Sequence, residues 1–143
     1  MIKYIVDTSI MMQYLLSEPH TANVSTLFEH VAKSTTTVYV PEFCLLECTN
    51  VLWKHVRFQG MPQNTADLLT QDLLALDLIL VAVTNMLPRA LEIGLKHELA
   101  VYDSLYIALA EKLGYPLITV DVKQEKAALA EGITLKPITE FTA

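Results

Sequence analysis

Cysteine, glycine and tryptophan are scarce in this chain, basic residues are outnumbered, and a long apolar run is missing. Its 143 residues include two cysteines, four glycines and one tryptophan. Cys44 and Cys48 stand four apart in a stretch of helical period, and neither a second cysteine pair nor a nearby His-x-x-x-His accompanies them. A zinc ligand set is therefore excluded and buried thiols are expected. No uninterrupted apolar run exceeds six residues, Leu78–Val83 being one, far short of the ~20 that cross a bilayer. The N-terminal apolar run is broken by Asp7 with no small-residue cleavage site behind it, so neither a signal peptide nor an oxidising compartment is expected. A reducing cytoplasm is the expected location. Pro/Gly/Ser linkers, repeats and low-complexity tracts are absent.

Ten Lys and Arg face sixteen Asp and Glu, for a net charge of −6 and a pI near 5.1. This balance argues against grip on a polyanion through a broad basic surface. Part of the excess is local, however. With Asp7, Glu47, Asp103 and Asp121 neutralised by metal, twelve acids would remain against ten bases, a charge of −2. Acidity therefore does not exclude a nucleic-acid substrate.

The composition is 52% hydrophobic, enough for one ordinary core at this length, and a single domain over 1–143 is expected. Short apolar runs alternate with helix-period segments, the pattern of a parallel sheet with helices on its faces. Expected strands are Lys3–Val6, Thr37–Val40, Leu78–Val83, Leu117–Val120 and a weak Thr134–Leu135. Expected helices are Pro41–Phe58, with proline in its first turn, Asn64–Leu76, Leu87–Glu98, and Asp103–Leu113, which is apolar almost all round and so suits a sandwiched core position. Gly114 and Pro116 end it. An earlier helix in "IMMQYLL" is apolar on nearly every side. The excess over what a sheet covers would suit a dimer interface or a partner's groove.

The carboxyl ends of parallel strands line one crevice, where ligands bind. Asp7 in "KYIVD" and Asp121 in "LITVD" both lie at such ends. Asp103 opens the apolar helix in "VYDSLYIALA", and Glu47 lies early in "PEFCLLECTNVLWK", which follows Thr37–Val40. Each acid has an ordinary reading: a helix cap for Asp121 and Asp103, a solvated helix residue for Glu47, a turn residue for Asp7. Jointly they are harder to dismiss, because four carboxylates on one edge repel unless a cation lies among them. Oxygen-only ligands suit Mg2+ or Mn2+, one or two ions, and such ions can activate water against a phosphodiester. Thr8, Ser9 and Thr119 flank the acids and are fit to hydrogen-bond a ligand carboxylate. Ser9 could instead cap the helix that follows.

"VDTSI", "PEFCLLECTNVLWK" and "VYDSLYIALAEKLGYPLITVD" resemble the PIN-domain family, especially the VapC-type toxins of prokaryotic toxin–antitoxin pairs. The resemblance runs in order from residue 3 to about 138. Asp7 matches that family's opening acid, Glu47 its helical glutamate, Asp103 its third acid, and Thr119-x-Asp121 its closing pair. What the resemblance implies is a three-layer α/β/α fold with a central parallel sheet of four to five short strands and Mg2+- or Mn2+-dependent RNA cleavage. It also implies a homodimer and a cognate antitoxin. One departure is Gln124, where many relatives carry an aromatic, which bears on docking of the last helix.

Lys54 falls seven residues after Glu47, on nearly the same helix face and ~10 Å along it, within reach of an RNA phosphate. His55 and Arg57 point elsewhere. Trp53 lies opposite the apolar stripe, and packing on the neighbouring helix is expected in preference to base stacking. A receiver or haloacid-dehalogenase-like phosphatase would share the layout, but the former wants acids before Asp7 and the latter an acid at Ser9. A non-catalytic RNA- or protein-binding module of the same fold is the remaining alternative, and four repelling carboxylates argue against it.

Overall fold

The computed structural model describes all residues, Met1–Ala143. In chain order the elements are β1 (Ile2–Val6), α1 (Thr8–Leu15), α2 (Thr21–Ala32), β2 (Thr36–Pro41), α3 (Cys44–Gln59), α4 (Gln63–Ala75), β3 (Ile79–Val81), α5 (Leu87–His97), α6 (Val101–Leu113), β4 (Leu117–Ile118) and α7 (Val122–Ala130). Short 3-10 turns precede α5 and follow α7 at Thr84–Met86 and Ile138–Glu140. The four strands form one sheet in the order β3-β2-β1-β4, every pairing parallel. This is the expected α/β/α architecture, with helices α1–α4 contacting one another and α5–α7 forming a second group.

Burial explains the strand patterns. The central strand β1 has helices over both faces, so Tyr4, Ile5 and Val6 are all buried in succession rather than in alternation. The edge strand β3 leaves Ile79 and Leu80 more than 40% exposed, and only three of the six residues expected to be strand pair with β2. The weak Thr134–Leu135 strand is reduced to a single bridge, Leu135 opposite Leu117.

Pro41 does not open a helix as expected. It ends β2 opposite Val81, and the pairing with β3 is continued by the next amide, Glu42 N, which donates to the Val81 carbonyl at 2.9 Å; a proline is tolerated at such a strand end. Helix α3 therefore starts at Cys44. In α6 the start is earlier than expected, at Val101, so Asp103 lies in the first turn and Ala100 is the cap residue. Helix α2 was not foreseen, although Val24, Leu27, Phe28 and Val31, all buried, repeat at i, i+3, i+4 and i+7. Helix α1 is in contact with α2, α3 and α4, so its many apolar sides are used largely within the chain rather than held out for a partner.

Seven consecutive residues of α6, Ser104 to Ala110, are buried, as its all-round apolar character required. Its closest neighbour is α5, and Gly94 sets their spacing: a Cβ there would stand 2.8 Å from the Leu99 carbonyl oxygen and 3.2 Å from Ser104 Oγ. Alanine normally favours a helix over glycine by about 1 kcal/mol. Here the clash is with backbone, and overpacking of this kind costs about 1–3 kcal/mol. Gly94→Ala is expected to lower the urea midpoint, whereas a raised midpoint would show that propensity outweighs the contact.

Candidate active site

Reading outward from β1, the chain builds β2 and β3 on one side and later places β4 on the other, so the strand order switches between β1 and β4. In open parallel sheets the crevice beyond the strand ends at such a switch is where ligands bind. Val6 is registered with Ile118, and the residues that follow, Asp7 and Thr119, face each other there.

Asp7 is 5% exposed and fully engaged. It caps α1, accepting from the Ile10 amide at 3.2 Å. Ser9 Oγ donates to its Oδ1 at 2.5 Å, and Thr119 Oγ1 donates to its Oδ2. Ser9 does not cap α1; its hydroxyl serves Asp7 and accepts the Val120 amide at 3.1 Å, tying the two strand ends together. Asp121 caps α7, its Oδ1 accepting from the Lys123 and Gln124 amides at 2.9 and 3.2 Å. The ordinary capping reading thus holds for Asp121, and it holds alongside a place at the strand end.

Glu47 lies in the first turn of α3. Its Oε1 accepts from Thr8 Oγ1 and from Tyr106 Oη, both at 2.9 Å, and these two hydroxyls are themselves 2.9 Å apart. Tyr106 is 1% exposed. Sequence reasoning treated it as core in an apolar helix, and the signal that it does more is its spacing, one turn after Asp103 on the same face. Asp103 is half-buried with no hydrogen-bonded partner for its carboxylate. Gln124, the departure noted above, is 1% exposed and docks α7 onto α6 by donating from Nε2 to the Asp103 carbonyl at 3.0 Å. Its Oε1 is buried without a partner.

The electrostatics link the four acids into a chain. Burial pushes the Asp7 carboxyl up to about 6, against hydrogen bonds that pull it down, and the Asp121 charge adds to the rise. Glu47 is raised by burial, opposed by Tyr106 and Thr8 and reinforced by Asp103. Asp103 is raised by burial and then by Asp121, with Lys123 opposing. None of the ion pairs in the chain reaches any of the four. The acids therefore share one edge and one repulsive field. No three acidic, His or Cys side chains gather tightly enough to form a preformed metal cage.

The other sequence candidates lie along α3. Lys54 is exposed on the face that continues from Glu47. His55 is half-buried, its Nδ1 3.0 Å from the Val51 carbonyl, and Arg57 stacks over Phe58 at 5.0 Å. Trp53 does not bury itself on the neighbouring helix: it is 55% exposed and meets Phe58 of its own helix edge-on at 5.8 Å.

A parallel α/β/α domain with an acidic crevice at its switch point is the general class these features define. More specifically, residues 4–129 match the PIN domain model, a span that contains all four acids, and the chain belongs to the PIN domain family. It is similar to Ribonuclease VapC3 of Pyrobaculum aerophilum, with 28% identity over 121 residues covering 83% of this chain and 89% of that protein. Among solved structures, VapBC2 of Rickettsia felis, bound to a DNA fragment from its promoter, matches with a TM-score of 0.69 at 15% identity, covering 95% of this chain and 98% of that one. The sarcin-ricin-loop-cleaving toxin VapC20 of Mycobacterium tuberculosis matches with a TM-score of 0.65 at 15% identity, covering 87% and 94%. The two structural likenesses are likenesses of fold.

The raised carboxyl of Asp7 makes a signed prediction for stability. A folded-state pKa above the unfolded value means the native state binds the extra proton, so this group favours folding below about 4 and loses that contribution as pH rises through about 6. Two units correspond to about 3 kcal/mol at most. In chelator, Asp7→Asn is expected to be more stable than the parent by about 1–3 kcal/mol at pH 7.5, with the gap closing by pH 4. Urea melts at both pH values test it, and an Asp7→Asn protein less stable at pH 7.5 would contradict it.

Proposed function

We propose that this protein is a divalent-metal-dependent endoribonuclease and the toxin of a toxin–antitoxin pair. The observation that carries the reading is the set Asp7, Glu47, Asp103 and Asp121 at the switch-point crevice, none of them in an ion pair, with Lys123 the one cation that acts on the set, at Asp103. Similarity to a VapC ribonuclease supports RNA as the substrate, and likeness to a VapBC toxin–antitoxin assembly supports an antitoxin partner. A homodimer is part of the same reading. No helix is long and apolar enough to cross a membrane.

The donor chemistry fits Mg2+ or Mn2+. All candidate ligands are carboxylate oxygens, and Mg2+ typically keeps several waters while binding through one or two carboxylates, so a preformed cage of three is not required. Asp7, Asp103 and Asp121 would hold the principal ion, with Glu47 completing the site or holding a second. Such an ion, when bound, supplies charge neutralisation at the phosphodiester and makes water a better nucleophile.

The chain's own contribution is orientation and proton handling. Ser9 and Thr119 fix both oxygens of Asp7, so its direction is set before substrate arrives. Thr8 and Tyr106 occupy Oε1 of Glu47 and leave Oε2 free to accept a proton from an attacking water, and the raised pKa of Glu47 makes it a better base than a solvated glutamate. Lys54, farther along the same face of α3, meets a phosphate of the bound strand.

Cleavage of a pool of transfer RNA and single-stranded RNA is expected with Mg2+ or Mn2+ and not with chelator. Asp7→Asn is expected to abolish it. Glu47→Gln is expected to lower kcat by 10²- to 10⁴-fold, and Tyr106→Phe by a smaller factor, since one of two hydroxyls remains on Oε1. RNA that is retained but never shortened would favour the binding-module reading instead.

A further inference from the structure

Beside the carboxylates lies a cavity of about 440 Å³ lined by Phe43, Leu46, Glu47, Asn50 and Tyr102. Four of these residues come from one face of α3 and the residue before it, at i, i+3, i+4 and i+7, and the fifth opens α6. Tyr102 is 60% exposed and Leu46 73%, unusual exposure for apolar groups that converge on one hollow. Phe43 is the buttress: its ring meets Tyr102 edge-on at 5.4 Å and Tyr106 edge-on at 5.8 Å. Tyr102 is thereby braced from behind, and it continues into the same aromatic row whose inner member, Tyr106, holds Glu47.

We propose that this cavity is a nucleobase pocket, in which Tyr102 stacks on an unpaired base of the RNA strand whose phosphodiester is cut at the adjoining acids. The proposal rests on the nuclease reading above and adds a determinant of substrate choice to it. Glu47 belongs to both the cavity and the carboxylate chain, so whatever fills one lies next to the other. The hollow has no basic side chain to hold a phosphate, whereas a base is neutral and flat, the part of an RNA strand that an aromatic-walled hollow with an acidic margin accepts. Single-stranded RNA is commonly held by bases splayed onto aromatic side chains. Asn50 contributes an exposed amide, a donor and acceptor able to discriminate between base edges. Lys54, one turn beyond Asn50, meets the neighbouring phosphate on the side away from the acids.

The test uses the full chain carrying Asp7→Asn, so that RNA is bound without being cut. Binding of a fluorescein-labelled random-sequence 12-nucleotide RNA, read by anisotropy in Mg2+, is expected to weaken about tenfold with Tyr102→Ala, equivalent to about 1.4 kcal/mol. It should change less than twofold with Tyr102→Phe. An abasic ribose-phosphate 12-mer should bind both variants equally. With Asp7 intact, Asn50→Ala is expected to broaden base preference at the cleaved step while the RNA is still cut. Unchanged RNA affinity in Tyr102→Ala, or equal loss for the abasic strand, would overturn the pocket. If the unmutated chain cuts RNA and Tyr102→Ala is indistinguishable from it, only the pocket falls; if RNA is neither bound nor cut, the nuclease reading falls and takes the pocket with it. Loss of dimer mass in light scattering, with RNA affinity intact, would assign the face to a second copy and overturn the proposal.

Discussion

A buried carboxylate held by two hydroxyls ties the sheet to its helices at the crevice. Asp7 ends the central strand, caps the first helix and accepts from Ser9 and Thr119, so it joins β1, α1 and the end of β4 at one point. Ser9 closes the same knot from the other direction by accepting the Val120 amide. The strand β4 has only two paired residues. Its position is set by the register with β1 and by this side-chain bridge together, and the start of α7 follows two residues later.

Stability and chemistry pull against each other at this knot. Hydroxyls are weak compensation for a carboxylate out of water, which is why burial remains the dominant influence on Asp7 and leaves its carboxyl raised to about 6. An Arg or Lys at Thr119 would hold the charge better and would also neutralise the edge. The chain does supply such a partner elsewhere. On the far side of the fold, Glu131 accepts from Arg89, Lys96 and His97 at 2.8, 3.0 and 2.5 Å, and its carboxyl is held down at about 2 by those donors. Two acids of one small domain thus have opposite treatment: half-buried Glu131 pairs with Arg89 and Lys96, and buried Asp7 has no ion-pair partner. The contrast lies in the cations each acid is given, which burial alone would not reveal.

Much of this was legible in the chain itself. The strand-end acids Asp7 and Asp121, the buried helix α6 and the parallel alternation all follow from local pattern, because a parallel sheet covered on both faces leaves short apolar runs that end in turn chemistry. What was not legible depended on partners distant in sequence. Pro41 looks like a helix start until Val81 is seen to pair with it. Tyr106 looks like core until Glu47, 59 residues away, is found on its hydroxyl. The shortness of β3 follows from its edge position, and edge position is a property of the sheet order, which no window of residues contains. Helix α2 is a different case, since its apolar spacing was present and readable.

The acids are positioned as much by helix packing as by strand ends. Helix α6 carries Tyr102, Asp103 and Tyr106 within two turns, and its depth against the sheet is set by α5 through Gly94, where there is no room for a single extra carbon. Displacing α6 by the width of a methyl group would move Asp103 relative to Asp121 and draw the Tyr106 hydroxyl from Glu47 at once, because one rigid element bears both. Gln124 adds a second restraint by fastening α7 to the backbone of Asp103 itself. The spacing between the strand-end acids and the helix-borne acids is therefore a packing quantity, fixed by residues with no charge at all, and a substitution at Gly94 or Gln124 acts on the crevice without touching it.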